Sequence, residues 1–146
     1  AALSPPVDPV MAGLRVDRTY EPLDDPADVA RRADGTWEVQ AGARVSVQIS
    51  VTVPDDRQHV AISDALPAGF EPVRKASSWG LGYATVRDDG ATAFATWLSR
   101  GTHTLTYEVR AVNLGRFTAP PATAEEMYRP ETFGRSIAET VVVVPL

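Results

Sequence analysis

The ten residues 44–53, RVSVQISVTV, constrain the fold most strongly, because apolar and polar side chains alternate through them without exception. Period two over this length indicates a half-buried strand of an antiparallel sheet. The segments AG at 41–42 and PDD at 54–56 flank it, and both are typical of turns. The chain is therefore expected to place this strand in a sheet that covers a core with one face.

Further segments of the same kind predict about seven to nine strands and no helix of ordinary length. They are residues 13–20, a short strand around Val60 and Ile62, and residues 81–87, 91–98, 102–111 and 137–144. Because these segments are short and separated by turn signals, we expect an all-β fold, a sandwich of two antiparallel sheets.

Several local features are predicted as well. Arg18 is expected on the same side of its strand as the apolar residues at 14 and 16. Asp25 is expected to cap one helical turn with Pro26 at its first position, inside a surface loop at 21–36. Asp89 and Gly90 fit the positive-φ positions of a type I′ hairpin turn.

One domain accounts for the chain. With 146 residues, it can bury roughly 68–70% of the surface that its unfolded form exposes. Residues 1–12 are interpreted as a linker or frayed terminus, and residues 13–146 as the domain. Residues 113–136 form the longest stretch without a strand pattern, and a loop of that length is usually functional or disordered.

Composition argues against several classes of partner. The chain has no cysteine, which removes disulfides and thiolate chemistry. Its net charge is −5 and its 14 basic residues form no cluster, so we expect no nucleic-acid partner. No apolar run approaches the roughly 20 residues of a membrane helix, so we expect no direct membrane insertion.

No arrangement of residues predicts catalysis, a cofactor or a metal. Asp55, Asp56 and His59 are close in sequence, and a solvated turn is favoured over a metal site there. His103 is expected to pack against the sandwich with one ring nitrogen bonded to backbone. The sequence has neither a nucleophile elbow nor a phosphate-binding glycine loop, so we expect the chain not to be an enzyme.

The three tryptophans leave a second function open. A carbohydrate-binding or adhesive β-sandwich module of a secreted protein would present such rings on its surface. We expect Trp97 to anchor the core instead. Trp79 lies in a segment rich in serine and glycine, and core and surface positions are equally compatible with it.

Two blocks of the sequence resemble the C-terminal end of bacterial α2-macroglobulins. They are DALPAGF at 64–70 and GTHTLTYEVRAVNLGRFTAPPATAEEMYRPETFGRS at 101–136. The residues of the second block that fit the family's pattern are Gly101, His103, Tyr107, Arg110, Ala111, Gly115, Phe117, Pro120, Pro121, Met127, Tyr128, Pro130, Gly134, Arg135 and Ser136. Residues 124–126 lie close to that pattern, and the resemblance extends over roughly residues 13–146.

The resemblance implies a non-catalytic, C-terminal macroglobulin-like domain with a macroglobulin or fibronectin type III-like sandwich. Members of the family are periplasmic or cell-envelope protease inhibitors that carry a thioester in a separate domain. The implied partners are that thioester domain and the neighbouring macroglobulin-like domains of the same parent chain, and proteases through the parent. The last domain of the family shields the thioester before a bait region is cut, and it moves on activation.

The segment MYRPE is the candidate interface for that shielding. Its members are Met127, Tyr128, Arg129, Pro130 and Glu131. Tyrosine and methionine are favoured at protein interfaces, and proline restricts the backbone. The alternative is that Tyr128 packs on the sandwich and pins the loop, and the sequence does not decide between the two.

Overall fold

The computed structural model describes residues 9–73, 78–79 and 82–146, and most of these residues lie in β-strands. The strands are β1 Val10–Ala12, β2 Arg15–Pro22, β3 Val29–Arg31, β4 Trp37–Gln40, β5 Arg44–Val53, β6 Arg57–Ala65, β7 Phe70–Pro72, β8 Ser78–Trp79, β9 Tyr83–Arg87, β10 Gly90–Leu98, β11 Gly101–Ala111, β12 Gly115–Ala119, β13 Thr123–Glu126, β14 Arg129–Arg135 and β15 Glu139–Val144. The all-β prediction is confirmed. The predicted number of strands was too low, because short strands of two to four residues lack a readable alternation.

The strands pair in three hydrogen-bonded sheets around one core. The six-stranded sheet has the order β1-β14-β13-β6-β10-β9, and the five-stranded sheet has the order β2-β5-β11-β7 with β8 also on β11. The four-stranded sheet has the order β12-β15-β4-β3. All strand pairs are antiparallel except β15 and β4, which run parallel. The arrangement is an open sandwich and does not close into a barrel.

Strand β5 covers the predicted residues 44–53 and lies between two strands of the five-stranded sheet. It pairs with β2 on one side and with β11 on the other, where Gly101 lies opposite Val53 and Arg110 opposite Arg44. Its apolar side chains are at most 1% exposed; they are Val45, Val47, Ile49, Val51 and Val53. Burying one such side chain stabilises a fold by about 1.5–3 kcal/mol, so this strand supplies much of the core.

The prediction that residues 113–136 form a non-strand loop is wrong. Strands β12, β13 and β14 occupy most of that range, and β13 pairs with both β6 and β14. The reason lies in what fills the inward positions of β13. Those positions are held by Ala124 and Glu126, which are 1% and 6% exposed. A small residue and a buried acid do not produce the apolar alternation from which strands are predicted.

The turn between β9 and β10 differs from its prediction by one residue. Gly90 pairs with Arg87, so Asp88 and Asp89 form the tip, and Gly90 has φ of +150°. Neither aspartate has a positive φ, so the turn is not type I′. A Cβ atom at position 90 would overlap the carbonyl oxygen of Asp64 on β6, which explains the glycine.

In the first 36 residues the predicted helical cap is present, but short strands lie within the predicted loop and linker. Asp25 caps a 3₁₀ turn at Pro26–Asp28 by accepting a hydrogen bond from the Ala27 amide at 2.9 Å, as expected. The predicted surface loop at 21–36 also contains β3, which pairs with β4. Strand β1 lies within the predicted linker at 1–12 and pairs with β14. Residues 1–8, and Leu81 of the predicted strand 81–87, lie outside the described residues.

Two of the aromatic predictions concern β8 and β11 of the five-stranded sheet, which carry Trp79 and His103. The Nε2 atom of His103 lies 2.7 Å from the Ser99 carbonyl oxygen, which confirms the expected bond to backbone. Trp79 is 8% exposed and lies edge-on to His103. A carbohydrate-binding module that uses Trp79 would need this ring on the surface, and the ring is in the core.

A buried polar cluster ties the two larger sheets together. Arg18 lies on the core side of β2, as predicted, and is 4% exposed. Its Nη1 donates to Asp64 Oδ1 on β6 at 2.6 Å and to the carbonyl oxygen of Pro120, also at 2.6 Å. The hydroxyl of Tyr107 on β11 donates to the other oxygen of Asp64 at 2.5 Å. Strands β2 and β11 of the five-stranded sheet therefore both bind the Asp64 carboxylate of the six-stranded sheet.

Burial raises the pKa of the Asp64 carboxyl, while the charge of Arg18 and the hydrogen bond from Tyr107 oppose that shift. The carboxyl and the guanidinium are each about 1% exposed or less. Charges this deeply buried are tolerated only with partners, because neither has access to water. Each member of the cluster therefore depends on the others.

Replacing Arg18 by Met leaves the Asp64 charge buried without its main partner. We expect the free energy of unfolding to fall by about 3–5 kcal/mol, measured by urea denaturation. The matched control is Arg15→Met on the same strand, where the arginine forms an exposed pair with Asp17 and the expected loss is at most about 1 kcal/mol. Equal losses in the two variants would show that the buried cluster contributes little.

Alkaline pH is expected to destabilise the domain through its buried tyrosines. Burial raises the pKa of Tyr20 and of Tyr107. Below about pH 9 an unfolded tyrosine stays neutral, so the two residues cost no stability there. Stability falls as the pH rises through about 10, because tyrosine then ionises in the unfolded chain and stays neutral in the folded one. The Tyr20→Phe variant should therefore lose less stability than the parent between pH 9 and pH 11 in urea denaturation. Identical losses would contradict this.

Candidate functional site

The five predicted site residues lie together at the tip of one β-hairpin. Glu126 of β13 pairs with Arg129 of β14, so Met127 and Tyr128 form a two-residue tip. Tyr128 is 77% exposed and Met127 is 50% exposed. The remaining residues, 129–131, are exposed at the start of β14. Tyr128 therefore does not pin a loop to the core.

His59 on β6 contacts the hairpin tip through both its backbone and its ring. It has φ of +54°, and no other described residue except glycine has a positive φ. Its carbonyl oxygen accepts a hydrogen bond from the Met127 amide at 2.8 Å. Its ring meets Tyr128 edge to face, with centroids 5.0 Å apart and planes at 85°. Backbone and ring of one residue thus contact both residues of the tip.

Glu126 fixes the other side of the same turn. Its carboxylate is buried, and Oε2 accepts a hydrogen bond from the Gln58 amide at 3.0 Å. Its second oxygen lies 3.5 Å from Nη1 of Arg57. The register between β13 and β14 shifts between Glu125 and Glu126, which is a β-bulge next to the tip. Bulges often re-aim side chains beside functional surfaces.

The prediction that Trp97 anchors the core is wrong. Inward positions on β10 are held by Ala91, Ala93 and Ala95, and the alternation would place Trp97 inward as well. Opposite this point β6 bends at the left-handed His59, and Leu98 is buried instead. The Trp97 ring is consequently 48% exposed. A left-handed histidine has no sequence signal, so the alternation could not reveal this break.

The hairpin tip stands between two surface cavities of about 310 Å³ each. The first is lined by the rings of His59, Trp97 and Tyr128 and by Asp56, Arg57, Gln58, Glu126 and Arg129. The second lies on the other side of Met127, over the outer face of β6 and β10, where Tyr83 and Phe94 border it. Exposed aromatic residues grouped in this way are typical of a surface that contacts another protein.

The described residues contain no group of three or more His, Asp or Glu side chains placed to hold a metal ion. Asp56 and His59 line the same cavity, but an Asp56 oxygen accepts a hydrogen bond from the Arg100 amide at 2.7 Å. Within the described ranges, no helix is long and apolar enough to cross a membrane.

Sequence comparisons connect this hairpin to a known domain. The family model described as the bacterial α2-macroglobulin MG10 domain matches residues 13–131. An α2-macroglobulin homolog from Nostoc sp. is 36% identical over 111 residues, which cover 68% of this chain and 6% of that protein. Circularly permutated Ras protein 2 from Dictyostelium discoideum is 30% identical over 136 residues, which cover 90% of this chain and 4% of that protein. The chain thus spans less than a tenth of either relative.

Solved structures share the fold. Native α2-macroglobulin from Escherichia coli, in a crystal structure from domain MG7 to the C-terminus, superposes with a TM-score of 0.75 at 21% identity. The match covers 94% of this chain and 24% of that chain. Escherichia coli α2-macroglobulin activated by porcine elastase gives a TM-score of 0.76 at 22% identity, with 95% and 14% covered. Since the MG10 model matches most of the sequence, the chain belongs to the family of macroglobulin-like MG10 domains of bacterial α2-macroglobulins.

Proposed function

We propose that the chain is a non-catalytic C-terminal domain of a bacterial α2-macroglobulin-like protease inhibitor, and that it packs against the thioester domain of its parent. In this role it shields the thioester from water and moves away on activation. The observation that supports this most is the position of Tyr128, which is 77% exposed at the tip of a hairpin that the domain itself anchors.

Shielding requires an apolar cover that excludes water, because a thioester is an activated acyl group that water can hydrolyse. Tyr128 offers a flat apolar ring with one hydroxyl at its edge, so it can cover the site and still form a hydrogen bond at the rim. Met127 beside it has a flexible, polarisable side chain that adapts to irregular surfaces. Together they form the two-residue tip of the β13–β14 hairpin, and both are exposed.

Rigidity of the hairpin favours docking. The tip is only two residues long and is followed by Pro130, which restricts the backbone. An element that is ordered before it docks loses less conformational freedom on binding. Arg129 and Glu131 flank the ring and set its orientation on the partner, and exposed charges of this kind contribute about 0–1 kcal/mol each. The interface can therefore be specific and still release on activation.

The partners follow from the same proposal. The domain contacts the thioester domain and the neighbouring macroglobulin-like domains of its own parent chain, and proteases reach it only through that parent. The place of action is the periplasm or cell envelope, as part of an exported protein. The chain contributes surface and movement, and it performs no bond-breaking step of its own.

Replacing Tyr128 by Ala in the full-length parent protein should leave folding intact and shorten the lifetime of the thioester. The reason is that an exposed ring contributes little to the fold but covers the reactive bond. The measurement is the decay of methylamine incorporation during incubation in buffer. Tyr128→Phe should keep most of the protection, because it retains the ring.

The matched control is Leu114→Ala, which removes an apolar side chain that is 59% exposed in the connection between β11 and β12. This control should keep the lifetime of the unsubstituted protein. If Tyr128→Ala decays no faster than Leu114→Ala, the hairpin does not shield the thioester.

A further inference from the structure

We propose that Glu126 and His59 are positioning residues that hold the Tyr128 ring in its docking orientation before any partner binds. The inference rests on the proposed shielding role of Tyr128 and adds the residues through which the domain controls it. Neither residue needs to contact the thioester domain for this. Glu126 acts through the turn that carries Tyr128, and His59 acts through that turn and through its own ring.

Glu126 is an unusual choice for an inward strand position. The neighbouring inward residues Ala122 and Ala124 are small and apolar, whereas Glu126 buries a carboxylate at 6% exposure. Burying an acid is unfavourable unless its oxygens receive hydrogen bonds. Here Oε2 accepts from the Gln58 amide at 3.0 Å, at the point where β13 ends. The carboxylate therefore gives the Gln58 amide an acceptor beyond the end of the β13–β6 ladder.

The Gln58 amide immediately precedes the bend at His59. A left-handed conformation is unfavourable for a residue with a side chain and persists only where surrounding contacts enforce it. The hydrogen bond to Glu126 holds one side of the bend, and the Met127 amide holds the other by donating to the His59 carbonyl oxygen at 2.8 Å. The bend is thus fixed from both sides by the hairpin that it supports.

The His59 ring extends this control to the side chain of Tyr128. Its edge-to-face contact at 5.0 Å leaves Tyr128 exposed yet restricts the directions in which the ring can point. Edge-to-face geometry is a favoured arrangement of aromatic rings. Contacts therefore run without a gap from the buried Glu126 carboxylate through residues 58 and 59 to the exposed ring. An exposed tyrosine on a free loop would have no such support.

The test uses the 146-residue chain and four variants: Glu126→Ala, Glu126→Gln, His59→Gly and, as the matched control, the exposed neighbour Glu125→Ala. Two quantities are measured by nuclear magnetic resonance. Hydrogen exchange of the Met127 amide reports the bond to His59, and the ring-proton shifts of Tyr128 report the ring contact. Exchange of the Ile49 and Leu105 amides in the core shows whether each variant is folded.

Glu126→Ala should speed exchange of the Met127 amide at least tenfold and move the Tyr128 shifts toward those of free tyrosine. Glu126→Gln should restore both, because an amide oxygen accepts the same hydrogen bond, and Glu125→Ala should change neither. His59→Gly suits the left-handed backbone, so it should keep the Met127 amide protected and lose only the ring shift. This variant also tests the inference if Glu126→Ala does not fold.

Unchanged Tyr128 shifts in Glu126→Ala and in His59→Gly would overturn the inference, whatever the thioester does. The same variants are then made in the full-length parent, where the thioester lifetime is expected to shorten toward that of Tyr128→Ala. A displaced Tyr128 with an unchanged lifetime would leave the positioning role intact and contradict the shielding role. The two failures are therefore distinguishable.

Discussion

The structure depends on one buried ion pair, between Arg18 on β2 and Asp64 on β6. The pair crosses the core from the five-stranded sheet to the six-stranded sheet, and Tyr107 and the carbonyl oxygens of Ala119 and Pro120 complete it. Apolar contacts between the sheets have no preferred direction, although close packing restrains them. The hydrogen bonds of this cluster are directional, and a shift of one sheet would leave a buried charge without its partner. The relative placement of the sheets follows from that constraint.

Strand β6 links this ion pair to the proposed docking surface at the β13–β14 hairpin. At one end it places Asp64 in the core, and at the other it bends at His59 beneath the β13–β14 hairpin. The hairpin pairs with β6 along β13, so its tip is attached to the same strand that the ion pair fixes. Tyr128 is therefore exposed and yet held in register with the core. An interface built in this way can be apolar and still have one defined orientation.

The sequence predicts the long, regular strands well and the candidate surface only in part. Regular alternation in residues 44–53 predicted that strand with its bounds, because nothing interrupts its pleat. The resemblance to bacterial α2-macroglobulins identified the MYRPE segment as a candidate surface but placed it in a loop. The inward residues of β13, Ala124 and Glu126, are not large and apolar, so the sequence shows no strand alternation there. The exposed Trp97 was missed because its position depends on the left-handed His59 of another strand.

The polar contacts escaped prediction for a related reason. Arg18 was expected on the core side of its strand, but its partner lies 46 residues away along the chain. Glu126 showed no sign of its role, because the Gln58 amide that it accepts from is 68 residues away. Periodicity reports which side of a strand a residue occupies. It carries no information on which distant residue lies opposite.

The shielding proposal requires Tyr128 to contact the thioester domain before activation, and site-specific photocrosslinking detects that contact. A photoreactive phenylalanine analogue is placed at position 128 of the full-length parent, and crosslinked peptides are identified by mass spectrometry before and after protease treatment. We predict crosslinks to the thioester domain in the uncleaved protein and their loss after cleavage. Crosslinks to other domains only, or a crosslinking pattern that cleavage does not change, would contradict the claim.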